Sequence, residues 1–143
     1  MKWHEYFLNV CAVVAGKSKD ESTKVGAVIV GPDHEIRSTG YNGFPRGVRE
    51  LKDRQHRPLK YRYTEHAERN AIYQAARAGV CTNKCTLYVN SLPPCADCAR
   101  AIIQAGIVEV YFACADVPER WYDDWIISQT MFKESDVICE NIF

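Results

Sequence analysis

The sequence predicts an α/β fold, a mixed central sheet of about five strands sandwiched by helices. Three observations predict it. Two strand-type segments meet at a Gly31-Pro32-Asp33 turn, strand-type and helix-type segments alternate after it, and glycines stop the helical patterns. At 143 residues, the chain reads as a single domain, 1–143, long enough to bury a core.

Trp3, Phe7, Val10, Cys11 and Val14 recur at helical spacing and predict an amphipathic first helix. The apolar run Val10–Ala15 is short and follows Glu5 and Asn9, which is not the pattern of a signal peptide. Lys17–Lys24 is a polar connection. Val25–Val30 (VGAVIV) has the character of a buried strand, and the turn after it leads into a second strand ending near Tyr41.

Asn42–Thr64, with Gly43, Pro45, Gly47 and Pro58, reads as loop. It is locally basic: seven Lys or Arg from Arg46 to Arg62, against Glu50 and Asp53. A helix is expected from Glu65, with Thr64 as its N-cap and Gly79 as its stop. Cys85–Asn90 is a strand and Ser91–Pro94 a stiff loop. Cys95–Ala105 is an alanine-rich helix ended by Gly106, with Pro94 suited to its opening position. Val108–Ala113 is a strand, Trp121–Lys133 a helix and Val137–Phe143 a last short strand.

Lys plus Arg and Asp plus Glu each number 18, so the formal charge is zero. That balance argues against a surface that wraps nucleic acid. No stretch approaches the length of a membrane span. The seven cysteines are odd in number and come without a signal peptide. They read as core residues or metal ligands of a reduced, cytoplasmic protein.

Chemistry concentrates in two motifs, His66-Ala67-Glu68 and Pro94-Cys95-Ala96-Asp97-Cys98, with twenty-five residues between Glu68 and Pro94. Cys95 and Cys98 stand on one face of a helix start. His66 and Glu68 diverge in mid-helix and converge only on a point beyond a helix N-terminus, toward which side chains lean. Two N-termini aimed there favour thiolates at Cys95 and Cys98. Two thiolates balance Zn²⁺, a neutral imidazole adds no charge, and three protein ligands leave a fourth position for water.

The pair of motifs is the signature of zinc deaminases. Zinc brings the pKa of such a water to roughly 7, so hydroxide is at hand. Glu68 then accepts the water's proton and donates to the ring nitrogen and the departing amine. A redox Cys-x-x-Cys leaves His66 and Glu68 without a role. A four-ligand structural site needs one more residue, for which Cys81, Cys85, Cys114 and His56 are the candidates.

With Ser18-Lys19-Asp20, Val25–Val30, Thr39–Gly47 (TGYNGFPRG), Tyr61-Arg62, Glu65–Ile72 and Ala101–Gly106, these motifs make nearly the whole chain resemble the deoxycytidylate (dCMP) deaminase family. The zinc motifs are common to the cytidine-deaminase-like superfamily, and TGYNGFPRG points to the dCMP branch. The resemblance implies the cytidine-deaminase-like three-layer fold and conversion of dCMP and water to dUMP and ammonia, in pyrimidine deoxynucleotide metabolism. It implies that Asn42 binds the sugar, the Ala67 N–H the base carbonyl, and the Ser91 carbonyl the exocyclic amine. Lys24 and Arg120 are the cations it suggests for the phosphate, with Lys60 and Arg62 behind them.

Members assemble as hexamers, and many are activated by dCTP and inhibited by dTTP near the Gly-Tyr-Asn-Gly loop. Some carry a second, structural zinc, whereas Cys81 and Cys85 here suit core packing. Trp121, Tyr122 and Trp125 read as the apolar face of a helix, part of which can serve a subunit contact. The chain departs from many members in its compact Asn42–His66 segment and in an Ala115–Arg120 loop without the Tyr-based phosphate pattern. The alternatives are a tRNA or nucleobase deaminase with the same zinc site, or an inactive zinc-stabilised nucleotide-binding module.

Overall fold

An apolar run such as VGAVIV is fully buried only in the middle of a sheet. The computed structural model, which describes residues 1–143, places it there. All five residues of strand β1 (Gly26–Val30) are buried. On one side β1 pairs antiparallel with β2 (Ile36–Tyr41), and on the other with β3 (Thr86–Val89). Strands β4 (Glu109–Phe112) and β5 (Ile138–Asn141) extend the sheet in parallel from β3, giving the order β2-β1-β3-β4-β5.

Alternation along the strands divides the core into two layers. Val28 and Val30 of β1, with Tyr88 of β3, meet Phe7 and Cys11 of helix α1 (Trp3–Ala15). On the other face, Ala27, Ile29, Leu87, Val89, Val110 and Phe112 form the larger core. Helices α3 (Ala67–Ala78), α4 (Ala96–Gln104) and α5 (Tyr122–Glu134) pack there through Ala71, Ile102 and Phe132. The expected sheet with helices on both faces is present. No helix is long and apolar enough to cross a membrane.

The seating of α3 depends on one missing side chain. A Cβ at Gly40 of β2 would fall 2.2 Å from the Ala71 nitrogen and 2.5 Å from the Ala67 oxygen. Glycine there lets the first turns of α3 rest on the sheet, with Ala67, Ala71 and Ala75 buried at four-residue spacing. The helix ends as expected at Gly79, which takes the left-handed conformation at φ 72°.

Three local expectations are corrected. Helix α3 begins at Ala67 with His66 as its N-cap, because Glu65 is held extended by paired backbone hydrogen bonds to Gly43. Thr64 instead ends a short helix, α2 (Lys60–Tyr63), within the segment expected to be loop, which also holds a 3-10 turn at Lys52–Gln55. Pro94 lies one residue before the N-cap of α4, and Cys95 takes the cap itself. The Cys95 sulfur accepts the Cys98 N–H, the bond that Ser or Asp makes at an ordinary N-cap.

Candidate metal centre and active site

Strand direction gathers the site at one edge of the sheet. The register pairs Gly26 with Tyr41, Ala27 with Val89, and Val89 with Phe112. The start of β1 therefore lies beside the ends of β2, β3 and β4. Lys24, Asn42, Ser91 and the loop that follows β4 all leave the sheet there, and α3 and α4 begin there.

His66 and Cys95 are the N-caps of α3 and α4, and Cys98 is the third residue of α4. His66 Nδ1 lies 3.5 Å from Cys95 Sγ and 3.4 Å from Cys98 Sγ. Zinc bonds of about 2.3 Å to sulfur and 2.0–2.1 Å to nitrogen at a tetrahedral angle hold sulfur and nitrogen ~3.5 Å apart. The observed separations fit that cage. These three residues form the one convergent cluster of metal-binding side chains, and Cys81, Cys85, Cys114 and His56 lie outside it. No fourth side chain of this chain joins the cluster, and three protein ligands are the pattern of catalytic zinc centres.

The electrostatics agree with a dication at this point. Hydrogen bonds from Cys98 and His66 outweigh burial and bring the Cys95 thiol down to about 4. The Cys98 thiol is pushed upward, first by its neighbour Cys95 and then by burial and the charge of Glu68. The two thiols are pushed in opposite directions by one another, and a bound cation would favour the thiolate at both. His66 is shifted upward by its bond to Cys95 against the opposing effect of burial.

Glu68, in the first turn of α3, is 6% exposed. Burial raises its carboxyl above the ordinary range, while the charge of His66 and its own backbone N–H pull the other way. A buried carboxyl beside a metal cluster is suited to carrying a proton near neutral pH.

Charged side chains of the two ligand-bearing helices also approach one another. Arg69 of α3 pairs with Glu65 and reaches within 3.7 Å of Asp97 on α4. Asp97 is held more closely by Arg100, at 2.6 Å.

The remaining sequence-derived residues divide by how firmly they are held. Asn42 is buried, accepting from the Val25 N–H at 2.9 Å and donating to the Thr23 carbonyl at 2.8 Å. One amide hydrogen is left over. The first helical bond of α3 runs from the Asn70 N–H to the His66 carbonyl, so the buried Ala67 N–H has no helical acceptor. Ser91 is half-buried just beyond β3. Lys24 and Arg120 are both exposed, and the Arg120 guanidinium lies 5.9 Å from the centre of the Trp121 ring. Lys60, a further candidate cation, is engaged by Asp20 at 2.8 Å and donates to Ser22 Oγ at 2.6 Å.

Sequence reasoning missed two contacts. Asn90 accepts the Gly26 N–H and links the start of β1 to the start of the Ser91–Pro94 loop. Asp124 of α5 accepts the Ala96 N–H at the start of α4. A strand-terminal Asn and an acidic helix start were visible as signals. Their partners, 64 and 28 residues away, were not.

Residues 1–114 match the profile of the family described as the cytidine and deoxycytidylate deaminase zinc-binding region. The chain is 41% identical over 140 residues to an uncharacterized deaminase of the luxG 3′ region of Aliivibrio fischeri, covering 95% of this chain and 90% of that one. It is 42% identical over 118 residues to the deoxycytidylate deaminase of Mus musculus, covering 78% of this chain and 65% of that longer protein. The dCMP deaminase of cyanophage S-TIM5, solved in complex with dCMP and dUMP, superimposes with a TM-score of 0.78. There the identity is 28% and 99% of each chain is covered.

Proposed function

This chain belongs to the cytidine and deoxycytidylate deaminase zinc-binding family, and from that premise we propose that it hydrolyses dCMP to dUMP and ammonia. The observation that carries the proposal is the convergence of His66, Cys95 and Cys98 beside buried Glu68, at the sheet edge where Asn42 and Ser91 emerge. The likeness to the cyanophage enzyme over the full chain supports the same substrate.

His66, Cys95 and Cys98 would hold a zinc ion, which would supply Lewis acidity that makes water nucleophilic near neutral pH. The protein's own groups do the rest. Glu68 takes a proton from the attacking water and passes it to the ring nitrogen beside the attacked carbon. It then carries the second proton to the amine, which departs as ammonia. The raised carboxyl of Glu68 suits a group that must accept and then donate.

The free Ala67 N–H binds the base carbonyl, the Ser91 carbonyl accepts from the exocyclic amine, and the spare Asn42 hydrogen meets the sugar. Lys24, exposed before β1, and Arg120, exposed in the 3-10 turn Glu119–Trp121, supply charge-assisted donors to the phosphate.

Regulation by dCTP and dTTP belongs to the same reading. Beside Gly43 and Phe44 lies a polar cavity of about 530 Å³, walled partly by Lys19, Lys52 and Arg57. Its volume suits a nucleotide, and its cations alternate with the acids Asp20, Glu21 and Glu50. A homo-oligomer, a hexamer by family pattern, would cover apolar side chains such as Ile126 and Ile127 of α5, which are 61% and 52% exposed. Seven free thiols fit a reducing, cytoplasmic setting.

Ammonia release from dCMP, deoxycytidine, dCTP and tRNA, measured side by side with and without dCTP and dTTP, tests the proposal. The expected result is turnover of dCMP well above the other three. Turnover of tRNA with dCMP untouched, or equal rates on dCMP and deoxycytidine, would overturn it.

A further inference from the structure

Helix α4 presents both sulfurs of the metal cluster, so its opening turn must be held still. An α-helix leaves its first backbone N–H groups without helical acceptors, and here the Ala99 N–H makes the first helical bond, to the Cys95 carbonyl. Of the donors before it, the Cys98 N–H goes to the Cys95 sulfur at 3.4 Å. The Ala96 N–H goes to Asp124 Oδ2 at 2.9 Å, a carboxylate delivered from α5.

We propose that Asp124 is a positioning residue of the metal centre: by fixing the Ala96 N–H it sets the turn on which Cys95 and Cys98 meet the metal. The inference rests on the zinc site described above and not on the identity of the substrate.

The geometry favours Asp124 over the other charged neighbours of this turn. Asp97 lies within the turn, yet its carboxylate is drawn outward to Arg100 and is 65% exposed. Arg69 approaches from α3, but only to 3.7 Å of that same exposed group, a separation and exposure at which ion pairs do little. Asp124 is half-buried and makes a direct hydrogen bond to the backbone between the two ligands. It touches no sulfur, so its effect passes through the Ala96 peptide. Outer contacts of this sort orient metal ligands.

The placement of α5 has its own cost, which the contact helps to offset. The indole N–H groups of Trp121 and Trp125, on either side of Asp124, are buried without an acceptor. The start of α5 is thus held against α4 although two of its donors go unsatisfied, and Asp124 is the polar link across that boundary. Asp124 also lies outside residues 1–114, the part of the chain that matches the family profile. The C-terminal helix therefore completes a site whose ligands all lie upstream of it.

The test is zinc affinity, measured by competition with a chromophoric chelator on the full chain. It is accompanied by the absorption spectrum of the Co²⁺-substituted protein, whose thiolate and d–d bands report ligand geometry. Asp124→Ala is expected to weaken zinc binding by about 10- to 100-fold and to alter the Co²⁺ bands. Asp124→Asn, whose amide oxygen accepts the same N–H, is expected to stay within about threefold of the parent. Asp123→Asn, next to it and exposed, serves as the unaffected control.

Parent-like affinity and spectrum in folded Asp124→Ala would overturn the inference, as would an Asp124→Asn that binds as poorly as the alanine variant. If Asp124→Ala does not fold, Asp124→Glu takes its place, with the carboxylate displaced by one methylene and the same shifts expected. Parent-like values in that variant would then overturn the inference. A parent chain that binds no zinc would instead refute the metal centre itself.

Discussion

The two ends of the proposed substrate site are built differently. At the zinc end, every group sits at the start of a helix packed on the sheet, and His66 Nδ1 lies within 3.5 Å of both sulfurs. At the phosphate end, the proposed cations are both exposed: Lys24 just before β1 and Arg120 in the 3-10 turn Glu119–Trp121 that precedes α5. One end is fixed by packing and hydrogen bonds within the fold, and the other offers exposed cations. Chemistry needs fixed geometry, whereas a phosphate is held by charge from several directions.

The contrast predicts that damage at the zinc end abolishes turnover, while damage at the phosphate end mainly weakens binding. Chelation is expected to have the largest effect. It should remove all activity, lower the melting temperature through loss of the bound ion, and be reversed by added zinc. Full activity in a metal-free sample, with zinc measured by atomic absorption, would break the comparison outright.

Glu68→Gln comes next, with kcat on dCMP lower by about 10³- to 10⁴-fold. Zinc content should be unchanged. Because burial already raises the Glu68 carboxyl, a neutral amide there should leave stability equal to the parent's or higher. Stoichiometric zinc with a normal kcat would remove Glu68 from the mechanism.

The same contrast explains what was legible in the sequence. His66, Glu68, Cys95 and Cys98 were readable because helix-start chemistry is local: each motif spans a few residues and their types name the metal. The five strands were readable because VGAVIV and its successors lie between clear turn and stop signals. Which residue opened each helix was not. A backbone pairing between Glu65 and Gly43 displaced the first turn of α3, and a cysteine sulfur took a cap normally made by oxygen. Partners distant in the chain were equally hidden, such as Asp20 for Lys60 across 40 residues. That pairing removes Lys60 from the supply of free cations.

At the phosphate end, the expected effects are smaller and of a different kind. Lys24→Ala and Arg120→Ala should each raise KM for dCMP about tenfold and leave kcat within about twofold, as when a contact binds ground state and transition state alike. The parent should prefer dCMP to deoxycytidine by about 10²-fold or more in kcat/KM, from two charge-assisted contacts. The double variant should lose most of that preference by lowering the dCMP value alone. A variant that loses kcat and keeps KM would show that this end, too, is part of the reacting geometry.

The smallest effect concerns what holds the Lys24 loop in place. Asp20 accepts the N–H groups of Ser22 and Thr23 and pairs with Lys60 of α2, and its side chain is 7% exposed. Burial alone would raise this carboxyl. The Lys60 ammonium and the Thr23 and Ser22 donors outweigh it and hold the group at about 2, against an ordinary 3.8. A carboxyl depressed on folding stabilises the protein above its unfolded pKa and loses that contribution as pH falls through the folded one. The contribution is about 2 kcal/mol at pH 7 and disappears between about pH 4 and pH 2. Asp20→Asn should therefore lower stability at pH 7 by about that amount, with the difference from the parent shrinking as the pH falls toward 2. Urea titrations at pH 7 and pH 3 measure it, and KM for dCMP should rise with the loosened loop while kcat holds. Equal stability of variant and parent at pH 7 would mean that the Lys24 loop is fastened elsewhere, and that the phosphate end has more built structure than two exposed cations suggest.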